Sequence, residues 1–390
     1  MRIINVLVLS FLTIVFAGCT SVTDLKTDIS ESLFGRPLSD PPSPLNDFKP
    51  TAKANVLWSA QLGENGDYDL SPVVDNGSVY AASSAGDVYK INLTNGKQIW
   101  RVNAGETISG GVGVGSDLVL VGSTRGNVIA FDLNGKMLWK SKVSSEILSA
   151  PKIDYSTVVV RCGDSRIYGL NAADGSRKWV YERENPPLSL RSSAGVALDG
   201  GAAYAGFAGG KLVALRVDDG KVIWEASVAQ PKGTTEIERI ADITSLPVVD
   251  GSLVYAVAFQ GRVAAIERST GHLAWNRDIS SYTGLTSDAA KVFISHAMSA
   301  VYALDFATGK TYWRQGDLRH RQITAPLALD KYIVIGDVEG YVHFLNREDG
   351  LFAARIQVEE SPVMPLMTSI GSSGLLLQTR KGGLYAINVK

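Results

Sequence analysis

The stretch Gly86-Asp87-Val88-Tyr89-Lys90-Ile91-Asn92-Leu93-Thr94-Asn95-Gly96-Lys97-Gln98-Ile99-Trp100 decides the fold, because the chain repeats it. Related segments begin at Gly126, Ser165, Gly210, Gly261, Ser299 and Gly340, and an eighth begins at Gly382 and stops at Lys390. Successive starts lie 40, 39, 45, 51, 38, 41 and 42 residues apart. A period of this length belongs to propeller blades or a similar array, in which one unit cannot bury its apolar face alone. Within the first copy, residues 72–75, 78–84, 88–93 and 97–103 are rich in apolar and β-branched side chains and are separated by turn residues. That pattern predicts four short strands per copy.

Two residue types punctuate the copies. The turn between third and fourth strands carries glycine at Gly96, Gly135, Gly175, Gly220, Gly271, Gly309 and Gly350. Glycine accepts the positive φ that a tight hairpin demands, which accounts for much of the total of 39 glycines. Pro72, Pro151, Pro247, Pro326 and Pro362 are read as opening the first strand of a copy. Proline lacks an N–H and suits a strand start or an edge, here the edge lining the central channel.

The eighth copy lacks a fourth strand, while residues 55–62, around Trp58, form an orphan first strand. Pairing that orphan with residues 384–389 closes a ring of eight blades. All seven tryptophans (Trp58, Trp100, Trp139, Trp179, Trp224, Trp275, Trp313) then share one repeat position, and Ala354 fills the eighth. A residue recurring once per blade points to packing between blades rather than to stacking on a ligand.

Length alone would suggest two or three domains; the repeat replaces them with one all-β, eight-bladed β-propeller of four-stranded antiparallel blades over residues 51–390. The chain is 45% hydrophobic and 20% charged, enough apolar content for a large core. With 38 Lys+Arg against 39 Asp+Glu, the net charge of −1 rules out a broad basic surface as the main feature and argues against a nucleic-acid partner. Two cysteines make neither a disulfide scaffold nor a four-Cys zinc site, and the four histidines show no HExxH spacing.

Residues 3–17 carry no charge and follow Arg2. As a helix they would reach only ~22 Å, short of the ~30 Å hydrocarbon core, so residues 1–18 read as a signal peptide. Their end, Phe16-Ala17-Gly18-Cys19, resembles the lipobox of bacterial lipoproteins, in which the cysteine becomes the lipidated N-terminus. Thr20, rather than an Asp resembling an inner-membrane retention signal, points to the outer membrane. Loss of residues 1–18 removes Arg2 and leaves a net charge of −2. Residues 19–50, with five prolines among many Ser, Asp and Thr, read as a lipidated cysteine and a flexible tether.

The string Asn/Asp-x-x-x/Thr-Gly-Lys-x-x-Trp resembles the repeat of pyrroloquinoline-quinone (PQQ) dehydrogenases, which enzymes and non-enzymes share. Lipobox, Pro-rich tether and eight such repeats together resemble the BamB family, lipoproteins of the outer-membrane β-barrel assembly (BAM) machinery. The resemblance covers essentially the whole mature chain. It implies a non-enzymatic scaffold, lipid-anchored on the periplasmic face of the outer membrane. Its partners would be a POTRA domain of BamA, the other BAM subunits and unfolded outer-membrane protein clients.

Residues Leu188-Ser189-Leu190-Arg191 look like the segment through which that family contacts BamA. Asp242 is similar in place to a second contact; where the family has another acid two residues later, this chain has Thr244. The residues make sense without the family as well. Trp224 to Pro247 spans 23 residues, against 12 from Trp139 to Pro151, so the connection holding Asp242 is enlarged. Connections from a fourth strand to the next first strand all emerge on one face, and these two are successive. Leu188 and Leu190 would be apolar anchors and Arg191 a charged donor; the plain alternative is that the leucines fold back and Arg191 is solvated.

The enzyme alternative is a PQQ-dependent periplasmic dehydrogenase. This chain lacks the adjacent-Cys pair such enzymes often show, every Trp is assigned to packing, and Cys162 reads as a small buried apolar residue. Asp164, Asp305 and Asp337 sit at turn-like repeat positions, and Arg319-His320-Arg321 reads as a solvated basic cluster. No catalytic, cofactor-binding or metal-ligating residue is assigned. A cell-wall-binding propeller is a third possibility, against which stands the lack of clustered aromatics outside repeat positions.

Overall fold

The computed structural model describes residues 41–184 and 186–390. The predicted signal peptide, Cys19 and the tether as far as residue 40 lie outside the described residues. Those described form eight four-stranded sheets, each with strands in antiparallel neighbour order. In blade 1 the strands are Val73–Asp75, Ser78–Ala82, Asp87–Asn92 and Gln98–Asn103, close to the stretches expected from sequence.

The first strands of consecutive blades touch one another in chain order, and that of blade 8, Thr368–Ile370, touches that of blade 1. First strands therefore surround the centre and the sheets radiate outward. Ala54–Gln61 pairs antiparallel with Gly383–Val389, with Ala54 opposite Val389 and Gln61 opposite Gly383, so the first and last strands of the propeller share blade 8. Second strands such as Leu118–Ser123 and Leu253–Val257 are buried throughout because both faces of each sheet meet a neighbour. This explains their continuous apolar runs. One core cluster joins Leu120, Val128, Ala130 and Trp139 of blade 2 to Val158, Val160 and Leu170 of blade 3.

The tryptophans build the joints. The Trp58 indole N–H donates to Leu93 O at 2.8 Å, Trp139 to Ala172 O at 2.8 Å, and Trp275 to Phe306 O at 3.0 Å. Trp100, Trp179, Trp224 and Trp313 make the equivalent bond, each to the blade that follows. Each ring also lies on the turn glycine of that blade. The seven turn glycines have φ from +67° to +86°, and a Cβ at Gly96 would stand 2.6 Å from the Trp58 ring. The glycine is thus required twice, by φ and by the indole above it.

Ala354 breaks the series for a reason visible at the ring closure. Blade 8 has no hairpin between its third and fourth strands, because those strands are the two ends of the fold. There is no turn glycine to cover. The incoming chain passes there instead: Thr51 and Ala52 N–H donate to Ala353 O at 3.0 and 3.1 Å, and Ala52 and Ala54 pack on the cluster holding Ala354.

Three expectations are corrected. Pro72, Pro151, Pro247 and Pro326 each precede a first strand, but Pro362 does not. The first strand of blade 8 begins at Thr368, and the stretch after Pro362 makes only an isolated bridge, Val363 to Thr379. Residues 42–50 of the tether pack along blade 7 rather than standing free. Arg321, read as solvated, is 1% exposed.

Candidate functional site

Strand alternation gives the propeller two unlike faces. Hairpins between first and second and between third and fourth strands make one face. Loops between second and third strands, and all connections to the next blade, make the other. On this connection face, the link from blade 3 to blade 4 runs between Arg177–Tyr181 and Val196–Asp199. The next link runs between Val222–Ser227 and Val248–Asp250.

These two links are tied together. The Asp242 carboxylate accepts from Leu190 N–H at 2.7 Å and from Gly209 N–H at 3.0 Å. Ser192 Oγ donates to Thr244 O at 3.5 Å. Asp242 is 3% exposed, so in the free chain it shapes the loop from beneath, whereas Leu188 is 41% exposed. Leu190 is half-buried between them. A small cavity of about 30 Å³ lies below, lined by Arg161, Cys162, Ser189, Leu190, Asp242 and Thr244.

The same loop reaches two further connections. Arg191 makes a bidentate pair with Glu146, from the link between blades 2 and 3, at 3.1 and 2.9 Å. Ser193 Oγ donates at 2.5 Å to Asp69, in the segment entering blade 1. Burial pushes the Asp69 carboxyl above its ordinary range, with the Ser193 bond opposing. A cleft of about 110 Å³ opens here, lined by Asp67, Tyr68, Asp69, Leu148, Arg191 and Ser193. Beneath the loop, Arg161 donates to Ala194 O at 3.1 Å and stacks 5.0 Å from the Phe207 ring centroid. Burial lowers its pKa to about 10, opposed by Asp242, so it stays a cation at neutral pH.

Leu188, Leu190, Arg191 and Asp242 therefore meet in one place. Sequence reasoning missed Glu146, Asp69 and Arg161, which hold the loop from three other segments without any periodic signal. Elsewhere, Asp305 bonds locally to Thr308 and Tyr312, and Asp164 to Arg166. Asp337 is fully buried against Arg321 and His343. Cys162 is buried, and burial raises its thiol to about 11, which leaves it protonated and unreactive.

Comparison with known proteins gives the lineage. The family model described as "Outer membrane protein assembly factor BamB" matches residues 84–315 and 284–390. A protein of that name from Nitrosomonas eutropha is 39% identical over 393 residues, covering 100% of this chain and 96% of the relative. One from Burkholderia pseudomallei is 38% identical over 373 residues, covering 95% and 94%. The crystal structure of BamB from Moraxella catarrhalis superposes with a TM-score of 0.79 at 28% identity, covering 86% of this chain and 100% of that one. The quinohemoprotein alcohol dehydrogenase of Comamonas testosteroni, at TM-score 0.69 and 13% identity over 86% of this chain and 76% of its own, shares the fold alone. Repeat, ring and full-length similarity agree: the chain belongs to the BamB family of outer membrane protein assembly factors.

Proposed function

We propose that the protein is a non-enzymatic scaffold subunit of the machinery that assembles β-barrel proteins into the outer membrane. It is held at the periplasmic face by acyl chains on Cys19, stable because two or more chains anchor where one does not. Residues 186–195 bind a POTRA domain of BamA, and through BamA the protein serves the other BAM subunits and their unfolded clients.

One observation carries this reading. The loop shows Leu188 and Arg191 outward while Asp242, Glu146 and Asp69 fix it from three directions. A loop ordered before binding loses less entropy on binding. Leu188 and Leu190 supply apolar area and Arg191 the directional charge, with Asp242 holding the loop in shape.

Affinity purification of the anchored protein from membranes tests it. Arg191→Glu, Leu188→Ala and Leu190→Ala should each keep the wild-type melting temperature within a few degrees while lowering BamA recovery. A central contact is worth at least ~1–2 kcal/mol, or roughly tenfold in affinity. Full BamA recovery with all three variants would sink the loop assignment. Recovery of no BAM subunit with the wild type would sink the scaffold reading.

A further inference from the structure

The segment Pro42-Ser43-Pro44-Leu45-Asn46-Asp47-Phe48-Lys49-Pro50 has too few apolar residues to fold alone. Topology gives it a default direction. Ala54 stands opposite Val389, where a third strand ends, and third strands end on the hairpin face. Continued straight from Ala54, the chain would leave on that face.

It does the opposite. Lys53 exchanges backbone hydrogen bonds with Lys390, and Thr51 and Ala52 bond Ala353 near the start of the fourth strand of blade 7, Phe352–Gln357. From there the segment climbs the outer edge of the blade. Phe48 packs on Phe352 with ring centroids 5.5 Å apart, and Arg355 lies 5.0 Å from both rings. Arg355 also donates to Asn46 O at 3.1 Å. Leu45 packs on the core cluster shared by blades 6 and 7. At the top, Ser43 N–H donates to Arg319 O at 3.1 Å and Arg321 donates to Ser43 O at 2.7 Å. Arg319 and Arg321 belong to the link between blades 6 and 7, on the connection face.

The two guanidinium groups that meet the segment, those of Arg321 and Arg355, are also held from inside the propeller. Arg321 donates to Asp337 at 2.6 Å and pairs with Glu339. His343, fully buried, bonds Asp337 at 2.9 Å through Nε2 and accepts from Arg355 at 3.1 Å through Nδ1. This network aims two guanidinium groups at main-chain carbonyls, a charge-assisted contact that asks little of the segment's side chains. Three prolines among nine residues lower the entropy lost on docking.

We propose that residues 42–50 are a strap that reverses the exit of the N-terminal chain, carrying it from the hairpin face to the face that bears residues 186–195 and 228–243. The membrane-attached end then pulls on the rim of the docking face, and that face is turned toward the bilayer. This orientation rests on the anchoring of Cys19 proposed above. The 22 residues between Cys19 and Pro42 could span at most ~80 Å when fully extended, so the strap biases the ring rather than clamping it to the surface.

Two measurements on the full lipidated chain test the proposal. Hydrogen exchange should show the amides of Ser43, Thr51 and Ala52 at least ~10-fold slower than in an unstructured peptide. In Leu45→Asp/Phe48→Asp, Ser43 should lose that protection while blade amides keep theirs; unprotected Ser43 in the wild type overturns the strap. Energy transfer from dyes on Lys232→Cys (connection face) or Ser156→Cys (hairpin face) to acceptor lipids in phosphatidylethanolamine/phosphatidylglycerol vesicles reads the orientation. The connection-face dye should transfer more, and Leu45→Asp/Phe48→Asp should abolish the difference. Vesicle binding with equal transfer from both faces, or a difference that survives in the double variant, overturns the proposal alone. Failure to bind vesicles overturns it together with the anchoring.

Discussion

The indole of Trp139 rests on Gly175 of the following blade so closely that a Cβ there would lie 2.6 Å from the ring. The same ring sends its N–H to Ala172 O at 2.8 Å. Side chain, turn conformation and hydrogen bond thus form one joint, repeated around the propeller.

Removing the ring should be costly. Trp139→Ala should destabilise the protein by about 3–5 kcal/mol, the range for deleting a large buried side chain. Chemical denaturation followed by circular dichroism measures it, and an unchanged midpoint would refute the joint.

The glycine should matter through two routes. Gly175 has φ of +72°, so Gly175→Ala pays about 1–2 kcal/mol for the left-handed backbone, and the clash with Trp139 adds to it. In the double variant with Trp139→Ala the clash term disappears. The two costs should therefore add to more than the double variant's total, a coupling that a double-mutant cycle reads directly.

Restoring the repeat at its gap should do harm. Ala354→Trp completes the sequence pattern, yet Ala354 is 2% exposed and the entering chain already occupies that side. We expect a loss of about 1–3 kcal/mol by overpacking, seen as a lower melting temperature. A rise would mean that the joint needs no turn glycine.

Glu106 gives the expected acid response. Burial would raise its carboxyl, but Lys140, Ser123 and Asn127 outweigh burial and hold it at about 2, below the ordinary 4.5. Its contribution to stability is complete above pH 4.5 and disappears as pH falls through about 2. The melting temperatures of wild type and Glu106→Gln should differ near neutrality and converge in that window. Parallel curves down to pH 2 would exclude Glu106 as the cause.

Asp242→Ala separates shaping from contact. It frees Leu190 N–H and Gly209 N–H and leaves buried Arg161 without its opposing charge. We expect about 1–3 kcal/mol of lost stability together with faster exchange at Leu190. Arg191→Glu gives up only the exposed pair with Glu146 and keeps the Asp242 bonds, so it should cost less stability and leave the Leu190 amide protected. An unchanged Leu190 amide in Asp242→Ala would mean that the loop is held elsewhere.

Much of the fold was legible because its determinants recur. Gly96 and its equivalents, the Trp series and the gap at Ala354 mark strand, turn and closure at a fixed period. The elements misread lack that period. Pro362 precedes an irregular entry, marked by the isolated bridge of Val363 to Thr379, that no other described blade repeats. The docked part of the tether is disguised by composition, since its partners Arg321 and Arg355 are some 280 to 310 residues away and bind carbonyls that every residue has. At the candidate site, Leu188 and Arg191 could be singled out as apolar and charged residues in a loop. Glu146, Asp69 and Arg161 could not, because only the closed ring brings three distant links under that loop.

Closing the ring with the first strand also sets an order of events. Among the described strands, Ala54–Gln61 pairs only with Gly383–Val389, the last of them. A polypeptide emerging N-terminus first must carry Val56, Leu57 and Trp58 unpaired until almost every other residue has appeared. Such a pairing comes late, because so large a loop must close before any contact rewards it. A chain cut short within its final strand would therefore lose not one strand but the seam, leaving an open sheet edge at each end of an unclosed arc. That edge is a template for pairing with other chains.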